Sequence, residues 1–167
     1  MDYGGASAPP FSFMATVHPT ALKLQDRLRD RGLEVEAVVL PDSTRTAADA
    51  AAACGCELGA IVKSLVFVVD DAPTMVLCAG DRRVDTAALG GEARTATADE
   101  ARTATGFAIG GVPPFGHDAE LPTLVDASLR RFERVWCAAG TPNAVFEVRL
   151  DDLLAAMPWA DVRELAA

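Results

Sequence analysis

The sequence is short of the side chains that most often hold metals or move protons. It has two histidines, His18 and His117, and its four cysteines form no C-x-x-C pair, whereas a zinc site needs closely spaced Cys and His ligands. No metal is expected. Long apolar runs are missing as well: charges interrupt each apolar stretch before the roughly 18 to 20 residues of a membrane span, so no membrane partner is expected. Basic residues are outnumbered, 15 against 24 acidic ones, for a formal charge of −9. That balance argues against a broad groove for duplex nucleic acid, DNA included, because phosphate binding draws its affinity from clustered Lys and Arg. It leaves room for a protein that touches only the end of an RNA. There is also no G-x-S-x-G, no P-loop and no Cys/His pair marked by local sequence, so no side-chain nucleophile is evident.

What is there fits one domain. A chain of 167 residues with 50% hydrophobic content suffices for one buried core and is short for two. The expected organisation is a loose arm over residues 1–17, rich in Gly, Ala and Pro and unlike a secretory signal, ahead of a single domain over 18–167. Cys54, Cys56, Cys78 and Cys137 read as reduced thiols in a cytoplasmic protein, with Cys78 and Cys137 as small core residues inside apolar runs.

Leu24 and Leu28, four apart and followed by Gly32, predict a helix over Thr20–Arg31. EVEAVVLP predicts a strand. Thr46 and Asp49 stand at capping-box spacing at the start of an alanine-rich helix that ends at Gly55. In AIVKSLVFVVDDAPTMVLCAG, two apolar runs flank Asp70, Asp71, Ala72 and Pro73, which predicts a hairpin of two buried strands. DTAALGG and TADEARTATG predict helical segments, the second capped by Thr97 with Glu100 and closed by Gly106. TLVDASL, RVWCAAG and AVFEVRL predict three more strands, and DDLLAAMPWADVREL a closing helix interrupted near Pro158. Strands bunched in the middle and end, with helices at the start, centre and finish, predict an α+β fold: a mixed, partly closed β-sheet flanked by helices.

Three places carry candidate chemistry. In FAIGGVPPFGHD, Phe107–Asp118, Gly110 and Gly111 permit close backbone approach while Pro113 and Pro114 stiffen the turn. The N–H groups of Gly110, Gly111 and Val112 can then converge on one anionic atom, or the segment is a plain surface turn. Lys63, inside the apolar IVKSLVF, either extends to solvent or faces a polar cavity. Asp126 in LVDAS either binds substrate or caps a turn.

TRTAADAAAACGCELGAIVKSLVF, LCAGDRRVD, TGFAIGGVPPFGH, LPTLVDASL and VWCAAG resemble, in order and spacing, the YbaK/prolyl-tRNA-synthetase-associated domain family, from about Pro19 to Leu154. The resemblance implies a trans-editing aminoacyl-tRNA deacylase that hydrolyses the ester between a wrong amino acid and the terminal ribose, without metal or organic cofactor. The family's essential lysine matches Lys63, and its G-x-x-x-P loop matches Gly110 to Pro114. Lys63, Gly110 and Gly111 are therefore the implied catalytic residues. Substrate contacts are expected from Thr46 and Val112, from Pro114, Phe115 and Gly116 in the loop, from Asp126 and Ser128, and from Ala139 and Gly140. The family is thought to use the substrate's ribose 2′-hydroxyl and a bound water in place of a side-chain nucleophile. Expected partners are the acceptor end of tRNA, most readily tRNA for proline, and prolyl-tRNA synthetase. Cysteine-removing members tend to carry SGG where this chain has Ala138, Ala139 and Gly140, which leaves alanine, serine, threonine or an unnatural small residue open as the amino acid removed. The alternative reading, a non-catalytic module for a tRNA end or a synthetase, has no need of Lys63 or an intact loop. A general small-ester hydrolase lacks its nucleophile elbow.

Overall fold

The computed structural model describes residues 17–166. Of the arm expected over 1–17, only Val17 falls among them, and it packs against the main core. Helix α1 (Pro19–Asp30) starts after His18, whose Nδ1 accepts from the Thr20 N–H, and buries Ala21, Leu24 and Leu28. Helices α2 (Ala47–Cys54) and α3 (Ala98–Thr105) each carry a complete capping box, Thr46 with Asp49 and Thr97 with Glu100. Both stop at a left-handed glycine, Gly55 and Gly106, where the missing Cβ removes the steric penalty.

The strands form two sheets. In the first, β1 (Val38–Val39), β7 (Ala144–Arg149) and β6 (Arg134–Ala138) run antiparallel in the order β1-β7-β6. The second holds β4 (Ala93–Thr95), β2 (Val62–Val69), β3 (Ala72–Ala79), β5 (Thr123–Asp126) and β8 (Asp161–Arg163), in the order β4-β2-β3-β5-β8. It is mixed: β4, β2 and β3 pair antiparallel, whereas β5 runs parallel to both β3 and β8. A bridge between Ile61 and Trp136 joins the two sheets just before β2 begins, and this gives the partial closure. The fold is therefore α+β, with mixed sheets flanked by helices.

The β2–β3 turn puts both Asp70 and Asp71 at positive φ, as a two-residue hairpin of matching twist requires. Pro73 is tolerated in β3 because it lies before Met75, where pairing with β5 begins, so its missing N–H removes no bond from that ladder. Pairing on the other side of β2 positions the site. Strand β4 reaches only Phe67, Val68 and Val69, with one further bond from the Ala96 N–H to the Val66 carbonyl. Among the described residues, the segment from Lys63 to Leu65 is left with an open edge on that side.

Strand β4 is an element the sequence reading did not expect, and three of the expected elements differ, each with a local cause. The strand expected over EVEAVVLP shrinks to β1 because side chains of α1 take its backbone groups: Gln25 accepts from the Ala37 N–H at 2.8 Å and Arg29 donates to the Val35 carbonyl at 3.1 Å. TLVDASL is a strand only as far as Asp126, whose Oδ2 accepts from the Ser128 N–H at 3.2 Å and starts a 3₁₀ turn, Ala127–Arg131. The closing helix α4 (Leu150–Ala155) ends before Pro158, and the chain then becomes β8. Beyond β8, the N–H groups of Leu165 and Ala166 donate to Asp126 Oδ1 at 2.7 and 3.0 Å.

Asp126 is thus a structural anchor that is 2% exposed. Burial pushes its carboxyl pKa up, but the bonds from Ser128, Leu165 and Ala166 outweigh burial and hold it below the usual range. Asp126→Ala leaves buried donors without partners and is expected to destabilise the fold by about 1–3 kcal/mol. Thermal melts of Asp126→Ala and Asp126→Asn test this, since Asn keeps one acceptor oxygen; equal melting temperatures for wild type and Asp126→Ala would show that the tail is held by other means.

Candidate functional site

The open edge of β2 faces a cleft of about 1030 Å³, walled by the segment leading into α2, by β6 and by the glycine loop. The loop is braced from several sides. The Thr105 hydroxyl donates to the Ala101 carbonyl at 2.7 Å and accepts from the Phe107 N–H at 3.1 Å. Arg27 donates to the Gly116 carbonyl at 2.8 Å, and His117 Nε2 meets the Pro113 carbonyl at 2.7 Å. The Gly140 N–H donates to the Gly111 carbonyl at 2.9 Å, tying the loop to the β6–β7 turn. A backbone so restrained can hold its remaining donors in fixed directions.

Of the residues expected at the site, Lys63, Thr46, Gly110 and Val112 line the cleft. Three N–H donors were expected from the loop, but the Gly111 N–H closes a turn on the Ala108 carbonyl at 3.0 Å. That leaves Gly110 and Val112, whose N–H groups bond to no other group among the described residues. Gly111 instead permits close packing against Thr141. Pro114, Phe115 and Gly116 are buried behind the cleft, Phe115 stacking edge-on against Trp159. Ala139 and Gly140 are buried too, and Ala138 reaches the cleft in their place. Asp126 and Ser128 lie outside the cleft lining and bond to each other, and Asp126 caps a turn and anchors the tail. Thr46 contributes surface, its hydroxyl being committed to the Asp49 N–H at 3.1 Å.

The Lys63 ammonium donates to the carbonyl of Arg82. Strand alternation puts Lys63 with Leu65 and Phe67 on one face of β2 and Val62, Ser64 and Val66 on the other, where Val62 and Val66 join the main core. Lys63 and the glycine loop therefore flank the open strand edge. Lys63 pairs across the ladder with Cys78. Burial pushes the Cys78 thiol up, and its ionisation also responds to Lys63 and Asp126, which puts the three groups close together across β2, β3 and β5.

The sequence reading passed over Ser64. Its Oγ is buried without a hydrogen-bond partner, and it lines the cleft beside Val66, Ala101 and Val112. A hydroxyl inside the apolar IVKSLVF was the available signal. Cys137 also lines the cleft, but complete burial pushes its thiol well up, and Cys54 is pushed up to about 12, mainly by burial. Neither supplies a thiolate nucleophile at neutral pH. Among the described residues, no group of three or more His, Cys, Asp or Glu is placed to hold a metal, and no helix is long and apolar enough to cross a membrane.

Burial holds the His117 pKa below 6.5. A group depressed in the folded state contributes stability above its unfolded pKa and loses it as pH falls through the folded value. Wild type is therefore expected to lose stability as pH drops below about 6.5, and His117→Gln to lose less over the same window. Denaturant melts of both proteins at pH 7.5 and 5 check this; parallel losses would remove His117 from the pH response.

Fold and cleft together define a class: a small α+β domain whose deep pocket is walled by a glycine loop and an open strand edge. The aminoacyl-tRNA editing domain family matches residues 41–156, and the chain belongs to that family. It is 44% identical to a solved structure described as a proposed trans-editing enzyme for prolyl tRNA synthetase, with a TM-score of 0.85 over 91% of this chain and 99% of that one. It is 35% identical over 130 residues to the uncharacterized protein YwhH of Bacillus subtilis (strain 168), which spans 72% of this chain and 82% of YwhH. It is also 32% identical over 109 residues to a proline–tRNA ligase of Lactobacillus gasseri, covering 62% of this chain but 19% of the ligase.

Proposed function

We propose that this editing domain hydrolyses, in trans, the ester of a mischarged aminoacyl-tRNA, taking tRNA for proline that carries a small wrong amino acid. The observation that carries the reading is that Lys63, Gly110 and Val112 line one cleft, the two loop N–H groups bonding to no other group among the described residues. Water, positioned with help from the substrate's ribose 2′-hydroxyl, attacks the ester carbonyl carbon. Negative charge builds on the carbonyl oxygen, where the two loop donors stabilise it before the C–O bond to the ribose breaks. The leaving ribose oxygen takes up a proton, and the free amino acid and intact tRNA depart. Lys63 positions the substrate and balances its charge; it is not asked to remove a proton.

The cleft lining includes Ala96, Ala101, Cys137 and Ala138 together with the buried Ser64 hydroxyl, surfaces that suit a small side chain. An apolar pocket distinguishes one methylene by only about 1–3 kcal/mol, whereas a site that hydrogen-bonds its substrate discriminates far more strongly. The test is a panel of tRNAs charged with alanine, cysteine, serine, threonine and proline, each incubated with the protein. Release of one small amino acid at rates well above the others, with prolyl-tRNA spared, is the expected result. No release from any of them would leave the non-catalytic binding module as the better account.

A further inference from the structure

The charge of the cleft is opposite to that of the chain. Its charged lining residues are Arg45, Lys63 and Arg83 against Asp42 alone, in a protein of net charge −9. Asp42 is engaged by the Asn143 side chain at 3.1 Å. Arg45, on the segment between β1 and α2, and Arg83, on the segment after β3, are both exposed. Of the thirteen arginines, seven pair with a carboxylate among the described residues: Arg27, Arg29, Arg82, Arg94, Arg131, Arg134 and Arg163. Neither Arg45 nor Arg83 does so among the described residues, although Asp49, whose carboxylate caps α2, lies near enough to feel the charge of Arg45. The volume of about 1030 Å³ lies at the upper end of the roughly 300–1,000 Å³ typical of pockets for drug-sized ligands, far more than a small amino acid occupies.

We propose that Arg45 and Arg83 form a clamp at the mouth of the cleft for the phosphodiesters of the unpaired 3′-terminal nucleotides of the RNA. The proposal rests on the deacylase reading for its substrate, and it adds where the nucleic acid is gripped. Guanidinium groups from two separate segments match successive phosphates in charge and in fork geometry. A focused cationic mouth on an acidic body admits a single-stranded end and repels the rest of a polyanion.

The probe is a short single-stranded RNA ending in CCA, titrated at several salt concentrations against wild type, Arg45→Gln, Arg83→Gln and Arg130→Gln. Arg130 is an exposed arginine outside the cleft, with no carboxylate partner among the described residues, and serves as the control. Wild type is expected to show a shallow slope of log affinity against log salt, worth about two contacts at roughly 0.7 each. Arg45→Gln and Arg83→Gln are each expected to weaken binding several-fold at low salt and to lower the slope by about one contact, with Arg130→Gln unchanged. An unaltered slope in Arg45→Gln and Arg83→Gln would overturn the clamp, and so would an equal loss in Arg130→Gln, which would mark the attraction as diffuse. Hydrolysis of charged tRNA by wild type is read in parallel. RNA binding that depends on the two arginines without any hydrolysis would keep the clamp and remove the deacylase reading, while hydrolysis with arginine-independent binding would do the reverse.

Discussion

Lys63→Ala is expected to lower deacylation about 100- to 1,000-fold while the protein stays folded, the loss typical of removing one preorganised electrostatic group from a transition state. The side chain is partly exposed at the start of β2 and donates to the Arg82 carbonyl. Alanine keeps the strand backbone and its pairing with Cys78, so the stability change should stay near the roughly 1 kcal/mol of one net hydrogen bond. Single-turnover rates on the responsive aminoacyl-tRNA, together with thermal melts, separate the two effects. A folded Lys63→Ala with wild-type rates would remove Lys63 from the mechanism. Lys63→Arg keeps the charge but replaces a point cation by a planar fork, and it should recover only part of the activity.

Local chemistry made much of the fold legible. Thr46 with Asp49 and Thr97 with Glu100 mark helix starts because each pair satisfies backbone donors that the first turn leaves open, and both boxes are formed. The hairpin around Asp70 and Asp71 was readable for the same reason: two short polar residues tolerate positive φ between apolar runs. Long-range bonding was not readable. Nothing near EVEAVVLP announces that Gln25 and Arg29 will take its backbone groups. Nothing in VRELAA announces that its amides will reach Asp126. Without that anchor, a helical period after Pro158 was the natural reading. The site divides in the same way. The glycine and proline content marked the loop, whereas the use of Gly111's N–H within the turn, which leaves those of Gly110 and Val112 unbonded among the described residues, depends on the loop's actual path. Arg45 and Arg83 were invisible as a pair because only the fold brings the segment before α2 and the segment after β3 to one cleft.

Gly111→Val is expected to abolish activity through displacement of the loop, and the geometry shows why this glycine differs from its neighbour. A Cβ on Gly111 would lie 2.8 Å from Cα and C of Thr141 and 2.9 Å from its N. These are backbone atoms of the turn after β6, and they cannot swing aside as a side-chain tip can. The loop must therefore move away from Thr141, stretching the 2.9 Å bond from the Gly140 N–H to the Gly111 carbonyl and re-aiming the N–H groups of Gly110 and Val112 on either side. Overpacking of this kind costs about 1–3 kcal/mol of stability, and a misplacement of about 1 Å at the reacting centre can cost about 100-fold in rate. Gly110 is the contrast. Its Cβ would meet nothing closer than Pro142 Cβ at 3.9 Å, but its φ of +92° penalises any side chain. Gly110→Ala should therefore show strain of about 1–2 kcal/mol with a smaller loss of rate, whereas Gly111→Ala already carries the clashing atom and should resemble Gly111→Val. Melting temperatures and single-turnover rates for the three variants test the order. If Gly111→Val hydrolyses its ester at the wild-type rate, the loop is only a turn and the oxyanion site lies elsewhere in the cleft.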